Sequence, residues 1–367
     1  MVPSGKRPAS AEVDGEGGAG NNGEGGGGGG CRQNTRDEVV RYDSKPEWLG
    51  PFGTEYKTDV RFANLQGNAF DKLDATIEEA YAADCCVVLV SQAGLGAPKL
   101  RKKYKNRIIS QHKTAWRTRF AFPAEAHEPG EGMVLFTRGK WIVSHFENVI
   151  PGRLVLTRGL DPGGNPIALI GVQAYMNRSS VRQDSTFTRA EIGMLKHKQR
   201  ALFDRLIRIL RELPSEETAV IMGDFNSVLK PAHRASGRFD RAWDGLFVSQ
   251  VEKMKQLGCV SAEEAFMTDD TPKWTRENVT VDKHGVVREH RSRLDHAFHR
   301  LSPDRTVEIT GHSIMVDSIN GSDHHPLSTE YTACNRRRWM VCRPNTMTST
   351  RMFPQRVLQK KTEESRA

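Results

Sequence analysis

Residues 57–333 alternate short apolar runs of strand length with stretches whose apolar residues recur every three or four positions, and few architectures accept that order. The alternation opens with a strand pattern at 59–64, followed by Phe70, Leu73, Ile77 and Tyr81 at helical spacing. A second apolar run at 86–91 follows, and further strands are expected at 133–137, 141–144, 154–157 and 167–175. The clearest helix is 188–213, where Leu195, Leu202, Leu206, Ile209 and Leu213 form one stripe opposite basic residues and Pro214 stops it. A buried strand at 218–222, a helix at 243–257 and late strands at 293–298 and 307–316 complete the series. Strands and helices in this mixture imply an α/β or α+β layered fold.

The longest uncharged apolar runs, such as 85–90 and 219–222, are strand-sized, which excludes a membrane-spanning helix. No apolar stretch follows Lys6 and Arg7, so the start does not read as a secretory signal. The six cysteines include no Cys-x-x-Cys pair, and Cys85 and Cys86 sit in an apolar run as buried thiols. That usage favours a reducing, intracellular setting. Residues 14–30 are mostly Gly with Glu and Asn, a composition that cannot offset its ordering entropy. A disordered leader over 1–56, a folded domain over 57–333 and a basic, flexible tail over 334–367 are therefore expected, with Trp339, Met340 and Val341 able to anchor a turn of the tail. Gly15, Gly17 and Gly20 match a dinucleotide-binding pattern, but without the preceding strand and following helix that such a site requires.

The net charge of +9 is concentrated in two blocks. Residues 99–120 hold nine basic residues and no acidic one, and 335–367 hold nine Lys or Arg against Glu363 and Glu364, so the remainder is net negative. Lys99, Arg101, Lys102, Lys103, Lys105 and Arg107, with Tyr104, Trp116 and Phe120 nearby, suit a polyanion, because cationic side chains release phosphate counterions and flat rings stack on bases. A solvated face is the alternative for such a run. Arg336 to Arg338 are the nuclear-signal candidates.

Three segments place polar groups at the ends of apolar strands: Gly223-Asp224-Phe225-Asn226, Ser292-Arg293-Leu294-Asp295-His296, and Ser322-Asp323-His324-His325-Pro326. In this order they resemble the endonuclease/exonuclease/phosphatase superfamily of apurinic endonucleases, exonuclease III and non-LTR retrotransposon endonucleases. The resemblance covers nearly all of 57–333. It implies a DNase I-like four-layer α/β sandwich, two packed mixed sheets flanked by helices.

By that resemblance Asp224 is the base for the attacking water and Asn226 fixes the phosphate, an amide adding no negative charge to a site that must admit an anion. Asp323 would lie at the metal, and His324 would donate to the scissile phosphate with Asp295 orienting it and keeping it protonated. Tyr175 reads equally as a strand aromatic and as the tyrosine that some apurinic-type members aim at the phosphate. Asn64 matches the asparagine ending the family's first strand. The implied cofactor is Mg²⁺, with Mn²⁺ as substitute, on Asp323, Asn64 and Gln66. Two acidic ligands of apurinic-type members are missing: the usual Gln-Glu is Gln92-Ala93, and the acid two positions after the first-strand asparagine is Gln66. Weakened metal affinity is therefore expected.

Three functions are compatible with these residues. The first is a divalent-metal-dependent endonuclease acting on DNA rather than RNA, of retrotransposon or apurinic type. The second is a nucleic-acid-binding member whose catalysis has decayed, and the third is a phosphatase or lipid phosphodiesterase, for which two basic blocks are unneeded.

Overall fold

The computed structural model describes residues 55–66, 70–96, 98–124, 131–176, 188–235, 238–267, 274–281, 285–303, 307–316 and 322–334. Residues 1–54 of the expected leader with the glycine pattern at 15–20, and residues 335–367 of the tail with Trp339 and the Arg336 cluster, lie outside them, whereas Glu55 and Tyr56 belong to β1 and Cys334 to β14. The chain runs β1 (Glu55–Asn64), α1 (Phe70–Ala82), β2 (Val87–Ser91), α2 (Pro98–His112), β3 (Arg117–Ala121), β4 (Met133–Thr137), β5 (Ile142–Ile150), β6 (Leu154–Leu160) and β7 (Pro166–Gln173). It continues with α3 (Arg189–Glu212), β8 (Thr218–Asp224), α4 (Asp244–Gln256), β9 (Val260–Ser261), α5 (Ala262–Phe266), β10 (Arg276–Val281), β11 (Val287–Ser292), β12 (Asp295–Arg300), β13 (Val307–Ile314) and β14 (Leu327–Cys334).

Among the described residues the strands form two six-stranded sheets, ordered β13-β14-β1-β2-β4-β3 and β5-β6-β7-β8-β12-β9, and the separate ribbon β10-β11. Both sheets are mixed, with β1 parallel to β2 and β7 parallel to β8. The unbroken apolar runs are strands buried on both faces. In β2, Val87 and Leu89 point into the cluster between the sheets, while Val88 and Val90 point to the cluster under α1 and α2. In β8, Val220 and Met222 face the other sheet and Ala219 and Ile221 face α3 and α4. Period two thus produces four layers, helices, sheet, sheet, helices, and each Val, Leu, Ile or Phe so buried contributes roughly 1.5–3 kcal/mol. This is the expected DNase I-like sandwich.

Helix α3 carries the apolar stripe expected of it and a capping box besides. Thr188 caps it reciprocally with Glu191, whose backbone N donates to Thr188 Oγ1 at 3.2 Å. Its face Leu202, Phe203, Leu206, Ile209 and Leu210 is buried. Several elements escape the sequence patterns. The basic composition of α2 hides a single apolar stripe, Tyr104 and the buried Ile108. Strand β3 lies on a sheet edge, and the β10-β11 ribbon exposes Val279, Val281 and Val287. In β14 the buried residues include Ser328 and Thr329, on opposite faces of the strand. Some limits move: β5 extends to Ile150, β7 stops at Gln173 short of Tyr175, and β12 starts at Asp295. Cys85 is fully buried, whereas Cys86 is half-buried. No helix among the described residues is long and apolar enough to cross a membrane.

Candidate active site

The parallel pairs end together. Asn64 and Ser91 are partners at the close of β1 and β2, and Gln173 and Asp224 are partners at the close of β7 and β8. Strand β12 runs back along β8 with Asp295 opposite Asp224. The two sheets are tied at this end by Asn64 Nδ2, which donates to Asp224 Oδ2 at 2.9 Å. The segment leading into β14 joins them, because Ser322 Oγ donates to the Asn64 carbonyl at 2.6 Å and accepts from His324 N at 3.2 Å. All three polar segments singled out in the sequence therefore meet.

Asp224 is buried and receives four N–H donors. Asn226 N reaches Oδ1 at 2.8 Å, while Asn64 Nδ2, Asn226 Nδ2 (3.1 Å) and Gln173 Nε2 (3.3 Å) reach Oδ2. Burial and the facing Asp295 carboxylate nevertheless push its pKa up to about 6, against the lowering influence of His324. Gly223 before it is obligatory, since a Cβ there would stand 2.1 Å from the Val172 carbonyl oxygen. Asn226 also donates to the Ala174 carbonyl at 2.9 Å, and Trp243 Nε1 donates to the Asn226 carbonyl at 3.2 Å.

His324 Nδ1 lies 2.8 Å from Asp295 Oδ2 and its Nε2 lies 3.9 Å from Asp323 Oδ1. Burial alone would lower the imidazole pKa, but Asp295, then Asp224 and Asp323, raise it. The charged form of the buried imidazole is thereby favoured beside a buried carboxylate. The backbone N–H groups of Leu294 and Asp295 both donate to Thr275 Oγ1, at 2.9 and 3.0 Å, which fixes the start of β12.

Three of the four non-glycine residues with positive φ among those described lie at these strand ends: Gln66 (50°), Gln92 (50°) and Asn226 (48°). Such conformations cost on the order of 1–3 kcal/mol each and persist where the surroundings over-determine them.

Asp224, Asp295 and His324 offer ligand atoms all within 4.8 Å of one another. Most of those atoms are already committed, Asp224 to four N–H groups and Asp295 Oδ2 to His324. The uncommitted oxygens are Asp295 Oδ1 and Asp323 Oδ1, both buried without a hydrogen-bond partner among the described residues. Each is a hard carboxylate oxygen of the kind a divalent cation prefers, and Asp323 stands outside the Asp224, Asp295 and His324 group. Asn64 Oδ1 accepts from Gln66 N at 3.1 Å and retains a second lone pair, and Gln66 is half-buried beside it. Ala93 is buried within the apolar cluster of Leu65, Val90 and Leu95, so no acid stands at that position.

The other expected residues engage partners outside the Asp224, Asp295 and His324 group. Tyr175 follows β7, its backbone N donating to Gln199 Oε1 at 2.8 Å and its ring 4.0 Å from the Arg153 guanidinium carbon and 5.9 Å from Lys198 Nζ. Residues 99–112 of the basic run lie in α2, and Arg117 and Arg119 lie in β3. Lys102, Lys103 and Lys105 are exposed on α2, whereas Arg101 is turned inward, donating to the carbonyls of Leu95 (3.0 Å) and Pro123 (2.8 Å). Arg107 is exposed and pairs with Asp74 at 3.5 Å, and the Lys99 side chain lies outside the described residues. Sequence reasoning missed Gln173, Thr275 and Arg276. Gln173 alone carried a signal, since it ends a strand beside Tyr175.

The sequence profile of the Endonuclease/Exonuclease/phosphatase family matches residues 103–324. No curated protein matches the chain significantly. Among solved structures, the catalytic domain of Xenopus laevis APE2 is similar at 14% identity, covering 76% of this chain and 92% of that one with a TM-score of 0.51. A 3'-5' exonuclease (NExo) from Neisseria meningitidis is similar at 12% identity, 74% and 98% coverage and a TM-score of 0.51. An AP endonuclease from Archaeoglobus fulgidus is similar at 14% identity, 74% and 98% coverage and a TM-score of 0.50. At such identities these likenesses bear on the fold.

Proposed function

This chain belongs to the endonuclease/exonuclease/phosphatase family, and on that premise we propose that it is a divalent-metal-dependent phosphodiesterase, an endonuclease of apurinic or retrotransposon type that cuts DNA. The observation that carries this reading is the buried Asp224, Asp295 and His324 group, whose ligand atoms lie within 4.8 Å of one another with His324 Nδ1 2.8 Å from Asp295 Oδ2. At neutral pH Asp224 is largely ionised yet basic enough to take a proton from water in line with a phosphodiester. Asn64, Gln173 and Asn226 hold its carboxylate, and Asn226, with both N–H groups engaged by Asp224 and the Ala174 carbonyl, would have to release one of them to fix a phosphate. His324 donates from Nε2 to a phosphate oxygen while Asp295 retains its orientation through Nδ1. Tyr175 is retained as a phosphate-side residue. Asp323, with the amide oxygens of Asn64 and Gln66, would hold Mg²⁺ or Mn²⁺. Such an ion supplies Lewis-acid neutralisation of the phosphate. The exposed lysines of α2 carry the DNA backbone, which a small phosphate ester or lipid headgroup would not require.

A second reading, a nucleic-acid-binding member with impaired catalysis, is favoured by one observation: Ala93 sits in an apolar cluster where apurinic-type members carry an acid. Nicking of supercoiled plasmid by the full chain with Mg²⁺ or Mn²⁺, beside Asp224→Asn, separates the two. Metal-dependent nicking that the variant lacks supports the nuclease. DNA binding without nicking supports the second reading, and equal nicking by both proteins removes Asp224 from the mechanism.

A further inference from the structure

Arg276 opens β10, and its backbone neighbourhood is fixed against the Asp323 segment. Glu277 N donates to the Asp323 carbonyl at 2.8 Å, His325 N donates to the Thr275 carbonyl at 2.7 Å, and Arg276 and His324 are bridge partners. From that anchorage Arg276 Nε donates to Asp323 Oδ2 at 2.9 Å, with 30% of the Arg276 side chain still exposed. The bond uses one of the five donors a guanidinium carries, and that charge is permanent. Arg276 is the cation held directly against Asp323, while Gln66 and Ala93 stand where the apurinic-type pattern has acids. A divalent ion taking Asp323 thus meets a carboxylate already neutralised, while a phosphodiester meets a preformed planar cation. The influence of Arg276 reaches the far side of the site, where it contributes to lowering the Asp224 pKa.

We propose that Arg276 is a built-in cation of this site, which neutralises Asp323 in the free protein, competes with a divalent ion for that carboxylate and touches the phosphate backbone of bound nucleic acid at one point. The proposal rests on the phosphodiesterase reading and deepens it. The ion is a competitor for Asp323, so the consequence is measurable without turnover.

The test uses the full chain, Arg276→Gln and Arg276→Lys, with Mn²⁺ binding followed by loss of the free-ion electron paramagnetic resonance signal. Arg276→Gln should bind Mn²⁺ at least tenfold more tightly than the parent, and Arg276→Lys, which keeps the charge, should bind like the parent. In EDTA, the log-log salt dependence of duplex DNA affinity should flatten by about 0.9 for Arg276→Gln and stay as in the parent for Arg276→Lys. Equal Mn²⁺ affinity in parent and Arg276→Gln, no Mn²⁺ bound by either, or an unchanged salt slope overturns the proposal. An equal tightening in Arg276→Lys overturns the charge argument even if the glutamine variant fails to fold. Failure of the underlying reading appears elsewhere, as a parent protein that nicks no plasmid with any metal.

Discussion

Asp224 and Asp295 are register partners on adjacent antiparallel strands, each 1% exposed, so two carboxylates face one another at the buried end of a sheet. Like charges in this arrangement repel, and the pair is accommodated because Asp295 Oδ2 engages His324 while Asp224 collects four N–H donors. Asp295→Asn should therefore act on both neighbours. The Asp224 pKa should fall from about 6 toward the ordinary carboxylate range, and the His324 pKa should drop as its main counter-charge goes. NMR titration of the His324 ring and the Asp224 carboxyl carbon in metal-free protein reads both. A His324 titration unchanged by the substitution would sink the pairing.

The basic residues of α2 divide by orientation. Lys102, Lys103 and Lys105 are exposed, with Lys105 Nζ 5.9 Å from the centre of the Phe120 ring. Arg101 spends its guanidinium on two carbonyls and stands 5.6 Å over Phe122. Replacing the three lysines by Gln should lower DNA affinity for all sequences and flatten the log-log salt dependence by about 0.9 for each duplex phosphate that a lysine neutralises. Arg101→Ala should instead lower stability by about 1.5–3 kcal/mol for hydrogen bonds made by a charged group, leaving the slope unchanged. Slopes that do not separate the two variants would make α2 a bystander.

Residues whose chemistry is local were legible in the sequence. Gly223, Asp224 and Asn226 announce a strand end because Gly223 must clear a neighbouring carbonyl and Asp224 and Asn226 bond within one turn. Helix α3 was legible because its apolar stripe and the Pro214 stop agree. Thr275 and Arg276 were not, because each acts on partners far along the chain: Thr275 on Leu294 and Asp295, and Arg276 on Asp323, 47 positions away. Strand β14 was hidden for a related reason. Its Ser328 hydroxyl is buried against the Asp59 carboxylate, so polarity at that position signals a partner on β1 rather than solvent.

Behind Asp295 a second buried pair reinforces the same strand. His296 Nδ1 lies 2.8 Å from Glu263 Oε1 and Nε2 lies 3.1 Å from the Ser227 carbonyl, so both ring nitrogens face acceptors and the ring carries two protons. Burial works against that charge, but Glu263 and the Ser227 carbonyl raise the His296 pKa. Burial likewise opposes the carboxylate of Glu263, which His296 and Arg293 hold below its ordinary value. The His296 contribution is complete below its ordinary pKa of 6.5 and is lost as pH rises through the raised value. That of Glu263 is complete above 4.5 and is lost as pH falls through the lowered value. Glu263→Gln should cost about 3–5 kcal/mol, as for a buried charge left unpaired. The Tm deficit should be largest between pH 4.5 and 6.5 and shrink above that window. A deficit constant across pH would mean that the pair is neutral.

His299 presents the opposite case on the same strand. It is 1% exposed, neither ring nitrogen has a hydrogen-bond partner among the described residues, and its ring centre lies 6.4 Å from that of Tyr331. Burial, with a smaller push from His312, drives its pKa down to about 3. The folded protein therefore resists a proton that the unfolded chain accepts near 6.5, so this residue's stabilising share is full above 6.5 and declines as pH falls toward 3. His299→Leu preserves approximate volume and removes two unsatisfied polar atoms, each of which costs about 1–3 kcal/mol when buried. The variant should be more stable than the parent at pH 7 and should hold its Tm further into acid, as chemical and thermal melts between pH 4 and 8 would show. A lower Tm at pH 7 would mean that the imidazole is satisfied by bound water and that its burial is not a cost.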